Sequence, residues 1–151
     1  MMQLAELNVG RLRGNTDDPI VAEFMENLDR INGLGKRMPG FVWMMEGTAG
    51  AGNTDAKIDG DARYVPNLTV WKSAAHLETF VFKTLHAKFM ERRAEWFEVL
   101  ETMHFVMWWV PDGHRPTLQE ALAKLAHLQA NGDSADAFGW DYLRVQPVAP
   151  A

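Results

Sequence analysis

The first part of the chain alternates between the hydrophobic spacing of a strand and that of a helix. Over Gln3–Val9 the side chains alternate with a period of two, Leu4, Glu6 and Asn8 against Ala5, Leu7 and Val9, which predicts a strand. Asp18 followed by Pro19 is typical of a helix start. That helix has one apolar face, made by Ile20, Phe24, Leu28 and Ile31, and we expect Gly33 and Gly35 to end it.

Three more strands are predicted, at Phe41–Gly47, Asn67–Ser73 and His104–Pro111. The last is apolar on both faces, which indicates a central strand, and its adjacent Trp108 and Trp109 must face opposite sides. Residues 48–66 are rich in Gly, Asp and Asn and are expected to form a flexible flap. Ser73 can cap a helix that continues to about Val99, with a break expected near Lys83–Leu85.

After the fourth strand, Thr117 and Glu120 form a capping box that predicts one further helix, ending at Gly132. The order β-α-β-β-α-β plus a helix predicts an α+β, ferredoxin-like fold. We expect a single domain over residues 1–151, with its core at 3–111 and a C-terminal helix and tail at 112–151. A sheet with helices on one face would leave a face rich in Trp, Met and Phe bare. We therefore expect a homodimer, a dimeric α/β barrel, with a cavity between or beside the sheets.

Composition narrows the classes of function. The net charge is −5 and no run of Lys or Arg exceeds two residues, which argues against nucleic-acid binding. The chain has no cysteine, so disulfides and thiolate chemistry are excluded. It shows no apolar run long enough for a membrane span or a signal peptide, so a cytoplasmic protein is expected. The sequence has no close cluster of His and carboxylate residues, so we expect no dedicated metal site.

One helix face carries the main candidate chemistry. His86, Met90 and Arg93 follow at i, i+4 and i+7, and Phe82 and Phe89 flank them. An imidazole among apolar residues near a guanidinium suits an anionic ligand with a large apolar body. The alternative is a buried histidine that bonds a backbone carbonyl. The other residues expected to line the pocket are Trp71, Trp96, Trp109 and His114.

The element order and the segment "LTVWKS" resemble the dimeric α/β-barrel superfamily, which includes antibiotic-biosynthesis monooxygenases. The segments "VFKTLHAKFMERRAEWFE" and "WWVPDGHRPTLQEALAKLAHL" resemble a member family known as a domain of unknown function, over Gln3 to Leu143. A further resemblance is to the haem-degrading monooxygenases of that superfamily. It implies that His86 is an axial haem ligand, that Asn8 hydrogen-bonds the distal ligand and that Trp71 presses on the porphyrin.

These resemblances imply a monooxygenase-type enzyme that acts on a small hydrophobic or aromatic substrate, with His86, Asn8 and Arg93 as catalytic residues. The cofactor would be either haem or none, because relatives without a cofactor let a substrate carbanion react with dioxygen directly. The alternative is a ligand-binding or stress-associated barrel without turnover.

Overall fold

The computed structural model describes residues 1–46, 61, 63–100 and 104–149. Within them, one antiparallel sheet contains β1 (Met2–Arg11), β2 (Phe41–Met44), β3 (Tyr64–Trp71) and β4 (Phe105–Pro111), in the spatial order β2-β3-β1-β4. The α-helices are α1 (Ala22–Arg37), α2 (Ala74–Lys83), α3 (Leu85–Glu91), α4 (Leu118–Asn131) and α5 (Trp140–Val145). The predicted α+β, ferredoxin-like order is confirmed. No helix in the described part of the chain is long and apolar enough to cross a membrane.

The central strand β1 defines two faces of the sheet. The Leu4 face carries Leu4, Glu6 and Asn8 of β1, with Asn67, Thr69 and Trp71 opposite on β3 and Phe105, Met107 and Trp109 opposite on β4. The Ala5 face carries the alternate residues, including Leu7, Val70 and Trp108. Trp108 and Trp109 therefore face opposite sides, as predicted.

Part of the Ala5 face is covered from within the chain. Ala121, Leu125 and Leu128 of α4 pack on it in one cluster with Leu7 and Trp108. The expected bare face, from which we predicted a homodimer, is thus partly occupied by the C-terminal helix. The dimer stays a prediction.

The prediction that the fourth strand is central is wrong, because β4 lies at an edge of the sheet. Its two apolar faces have a different cause. The helix α4 covers one face, and the segment before α5 covers the other. Phe138 is fully buried in a cluster with Met107 and exchanges two backbone hydrogen bonds with it, of 2.8 and 2.9 Å.

Helix starts follow local sequence, and so does the end of α4 at Gly132, whereas the end of α1 does not. Asp18 caps a short 3-10 helix, Pro19–Val21, that leads into α1. The helix α1 then runs to Arg37, so the prediction that Gly33 and Gly35 end it is wrong. Gly35 is buried, and a Cβ there would lie 3.2 Å from Cζ of Phe80. The absence of a side chain at this position permits a close approach between α1 and α2.

The predicted helix after the third strand is divided in two. Ser73 caps α2 as predicted, and the break falls at Thr84, whose hydroxyl caps α3. Helix α3 ends at Glu91, and a short 3-10 helix follows at Arg93–Glu95. The continuation to Val99 is therefore wrong. The predicted flap lies mostly outside the described residues, and its last residues, Tyr64–Pro66, belong to β3.

Two glycines with nearly equal dihedral angles allow a test of packing at the start of β2. Gly40 and Gly113 have φ of 84° and 87°. A Cβ at Gly40 would overlap the ring of His76, whereas a Cβ at Gly113 would meet nothing within 4 Å. Gly113→Ala should cost about 1–2 kcal/mol for the left-handed backbone, and Gly40→Ala a further 1–3 kcal/mol or so for the overlap. Urea unfolding measures both, and equal losses would contradict this account.

Candidate functional site

The most unusual polar group in the core is the carboxyl of Glu6, on the central strand. Glu6 is only 5% exposed and lies on the Leu4 face. The hydroxyl of Thr69, its partner on β3, donates to Oε1 of Glu6 at 2.7 Å. The indole Nε1 of Trp71 donates to Oγ1 of Thr69 at 2.9 Å. A buried chain of hydrogen bonds therefore runs from the indole to the carboxyl.

Glu6 has no ion-pair partner among the described residues. Burial raises its pKa to about 8, because removal from water penalises the charged form, and the hydrogen bond from Thr69 offsets part of that effect. A carboxyl that titrates near neutral pH can give and take a proton there. Such a shifted group is a candidate functional residue.

Next to Glu6, the Leu4 face becomes polar and opens to solvent. Asn8 follows two residues along β1, is exposed, and lies directly opposite Asn67 of β3. Asn67 and Phe105, its two neighbours in that row, are half-buried. The strand register thus places two amide residues next to the buried carboxyl, on the side where Asn8 is exposed to solvent.

His86 is separated from Trp71, the indole that bonds Thr69, by the ring of Phe80. Its Nδ1 is 3.2 Å from the carbonyl oxygen of Val81, and since a carbonyl only accepts, Nδ1 carries the hydrogen. Burial lowers the pKa of His86, and the bond to Val81 partly offsets this. The ring of Phe80 lies between His86 and Trp71, with centroid distances of 4.8 and 5.3 Å. His86 thus makes the backbone bond that we considered as the alternative to a ligand role.

The structure does not support Arg93 as a partner of His86. The helical spacing of seven residues requires one continuous helix, but α3 ends at Glu91. Arg93 is exposed, and its guanidinium donates to the carbonyl oxygen of Met90 at 2.8 Å. The predicted shared face of His86 and Arg93 is therefore not formed.

The aromatic residues expected to line one pocket lie in separate places. Trp96 is buried in a cluster with Leu12 and Val21, where Phe89 stacks on it at 5.6 Å. This cluster is distinct from the one that contains Trp71. Phe89 and Trp96 therefore do not share a wall with Trp71, and the place of Met90 in a pocket stays a prediction.

Of three further predicted pocket residues, Phe82 and His114 lie on the outside of the body, whereas Trp109 borders a cleft. Phe82 is 43% exposed and packs edge-on against Trp140. His114 is exposed and lies 2.8 Å from Glu120 at the start of α4. Trp109 is half-buried against Phe138 and borders an open cleft of about 720 Å³.

Sequence reasoning missed Glu6, Thr69, Asn67 and Phe80. The alternation of β1 did place Glu6 on one face with Leu4 and Asn8, but it did not show which face is buried. A carboxylate in phase with a leucine was the available signal. Its partners follow only from the register between β1 and β3, which sequence spacing does not give.

The profile of the family described as "Domain of unknown function (DUF3291)" matches residues 3–150, and the chain belongs to that family. A search of the curated proteins found no significant match. The chain is similar to the structure of SnoaB from Streptomyces nogalater, titled a cofactor-independent oxygenase, with 15% identity, a TM-score of 0.50, and 80% of this chain and 100% of that chain covered. It is also similar to PA3566 from Pseudomonas aeruginosa, with 9% identity, a TM-score of 0.49, and 78% and 97% covered. At such identities the likeness establishes the fold alone.

The prediction of haem is wrong. A porphyrin pressed on Trp71 and ligated by His86 would have to occupy the position of the Phe80 ring, which stacks on Trp71 and contacts His86. The similar structure of SnoaB is described as that of a cofactor-independent oxygenase. His86 and Trp71 therefore do not form a haem site.

The buried carboxyl predicts how stability depends on pH. The pKa of Glu6 is raised from 4.5 to about 8 in the folded chain, so the stability from its protonated form is complete below pH 4.5 and is lost as pH rises to 8. Between these pH values, the free energy of unfolding should fall by up to about 1.4 kcal/mol per pH unit. Urea unfolding at several pH values should show this decline in the wild type and a flatter curve in Glu6→Gln.

The lowered pKa of His86 has the opposite effect on stability. It reduces the free energy of unfolding only as pH falls through the range in which an ordinary histidine becomes protonated. Comparison with Glu6→Gln isolates the contribution of Glu6, since His86 is common to both proteins. Glu78→Gln, on the exposed side of α2, is the matched control. Parallel curves for the wild type and Glu6→Gln between pH 5 and 8 would contradict the raised pKa.

Proposed function

We propose that this chain is a small-molecule enzyme of the monooxygenase type that works without haem, with Glu6 as its acid–base group. The observation that supports it is the buried, uncompensated carboxyl beside two amides at the open end of the Leu4 face. The fold shared with SnoaB agrees with this class of reaction but is not evidence for it. The substrate would be a hydrophobic or aromatic molecule with an acidic C–H group next to a carbonyl.

The chemistry needs one base and no external reductant. The ionised carboxylate of Glu6 removes a proton from the substrate carbon, and the resulting carbanion is delocalised into the carbonyl and the ring. Dioxygen takes electrons from that carbanion, and a C–O bond forms as a hydroperoxide. Glu6 returns the first proton to the outer peroxide oxygen and then takes the remaining proton from the same carbon as the O–O bond breaks. The departing hydroxide takes this second proton from Glu6 and leaves as water. A CH₂ group and O₂ become a carbonyl and water, and the substrate supplies all four electrons.

Neighbouring groups have distinct tasks in this proposal. Asn8 and Asn67, paired across β1 and β3, donate hydrogen bonds to the substrate carbonyl, where negative charge develops. Thr69 is a positioning residue, since its hydroxyl holds one oxygen of Glu6 and is itself held by Trp71. His86 and Arg93, which we first expected to be catalytic, have no part in this step.

The direct test is oxygen consumption with anthrone, a tricyclic aromatic ketone with an acidic CH₂ group. Glu6→Gln should lower kcat by at least about 100-fold, because general-base catalysis contributes on that order. In the wild type, kcat/KM should rise with pH towards a plateau above about 8, in step with ionisation of Glu6. Asn8→Ala should lower kcat by a smaller factor.

The comparison variants are His86→Ala and Glu78→Gln, both expected to keep activity close to that of the wild type. Loss of activity in His86→Ala with retention in Glu6→Gln would overturn the assignment of Glu6 and favour His86. Wild-type oxygen uptake no faster than the background oxidation of anthrone or of a panel of related ketones would favour the alternative, a ligand-binding barrel without turnover.

We also keep the homodimer as a proposal. The helix α4 packs on β1 and β4, and on the other half of the Ala5 face the apolar side chains of Val42, Trp43 and Met45 are only half-buried. A second copy could cover this half.

Light scattering after size exclusion should give twice the mass of one chain, and Trp43→Lys should shift the protein towards the monomer. Phe82→Lys, an exposed aromatic on α2, is the control and should leave the mass unchanged. A monomeric wild type at micromolar concentration would reject the dimer.

A further inference from the structure

An open cleft lies at the opposite end of the Leu4 face from Asn8. Its volume is about 720 Å³, and its walls come from the start of β1, the end of β3, Trp109 of β4 and the C-terminal segment Pro147–Ala149. These elements are distant in sequence. The cleft is large enough for a ligand of drug-like size.

A smaller cleft of about 290 Å³ adjoins the first one. Both are bordered by Trp109, Val148 and Ala149, and the smaller one also by Tyr142 and Gln146. The C-terminal segment thus forms a wall that the two cavities share. Together they give a mainly apolar surface that includes the ring of Trp109 in both clefts.

The walls of the larger cleft carry one charged side chain, Lys72, and no carboxylate. Lys72 is exposed and makes no side-chain hydrogen bond or ion pair among the described residues. This is notable in a chain with 20 acidic and 15 basic residues. Ser73, which also lines the cleft, caps the ten-residue helix α2, whose N-terminal end favours negative charge.

We infer that this cleft binds an apolar molecule carrying one anionic group, such as a fatty acid or an aryl carboxylate. The apolar body lies along Trp109 and Val148, and the anionic group meets the ammonium of Lys72. Charge complementarity favours an anion, because Lys72 is the one charged side chain in these walls and no carboxylate opposes it. The inference does not depend on the proposed reaction at Glu6, since the row formed by Leu4 and Trp71 separates the two places.

The test uses 1-anilinonaphthalene-8-sulfonate, an apolar aromatic sulfonate whose fluorescence rises on binding, and its displacement by laurate or by dodecanol. Laurate should displace the probe at a concentration about twofold to fivefold lower than dodecanol, as expected for one exposed charge pair. Lys72→Met should remove that preference and leave the affinity for dodecanol unchanged. Lys83→Met, at the far end of α2, should behave as the wild type.

The apolar wall is tested by a second pair of variants. Val148 and Val145 are 72% and 76% exposed, but only Val148 lines the clefts. Val148→Asp should weaken laurate binding about tenfold, since it removes apolar contact and adds a negative charge, whereas Val145→Asp should not. Equal affinity for laurate and dodecanol, equal behaviour of the two lysine variants or of the two valine variants, or absence of displacement would each overturn the inference.

Discussion

The burial of one carboxyl group on the central strand constrains much of this fold. Glu6 lies on β1, which pairs with β3 on one side and β4 on the other, so water reaches it only along the sheet face. Its charged form is costly there. Thr69 supplies a hydrogen bond, and Trp71 orients Thr69. The identity of three residues on two strands is thus tied to the protonation of one group, and the strand register must be kept for the bond to exist.

The C-terminal extension changes what the sheet can do. In a sheet of this topology without it, the Ala5 face would be open and the outer edge of β4, on the side away from β1, would be unpaired. Here α4 covers part of the Ala5 face, and the segment around Phe138 bonds the backbone of β4 and fills the Leu4 face beside Met107. The same extension then supplies Val148 and Ala149 to the clefts. One segment therefore serves the core, the sheet edge and the surface cavities.

Features set by neighbouring residues were predictable from the sequence. The side-chain caps at Asp18, Ser73 and Thr117 all form, because a cap needs only a side-chain oxygen two or three residues from a free N–H. The carboxylate of Glu120, predicted to complete a capping box with Thr117, instead bonds Trp108 and His114. Gly35 gave a false helix end, since its role is to admit Phe80 from another helix. The prediction that Arg93 shares a helix face with His86 failed because α3 ends at Glu91. Periodicity assigns residues to one face only while the helix continues.

The candidate site was less predictable than the helix caps, because its contacts join residues that are distant in sequence. Asn8 was proposed from a resemblance, and the structure does place it next to an ionisable group, but that group is Glu6 rather than His86. The pairing of Glu6 with Thr69, and of Asn8 with Asn67, depends on a register between residues about 60 positions apart. The strand β3 ends at Trp71 and Lys72 follows it directly, so the hydroxyl beside the carboxyl and the ammonium of the cleft are only three residues apart in the chain. Because Trp71 and Leu4 lie between them, a ligand in the cleft and a substrate at Glu6 would contact opposite sides of the same row, and either could be altered by mutation without the other.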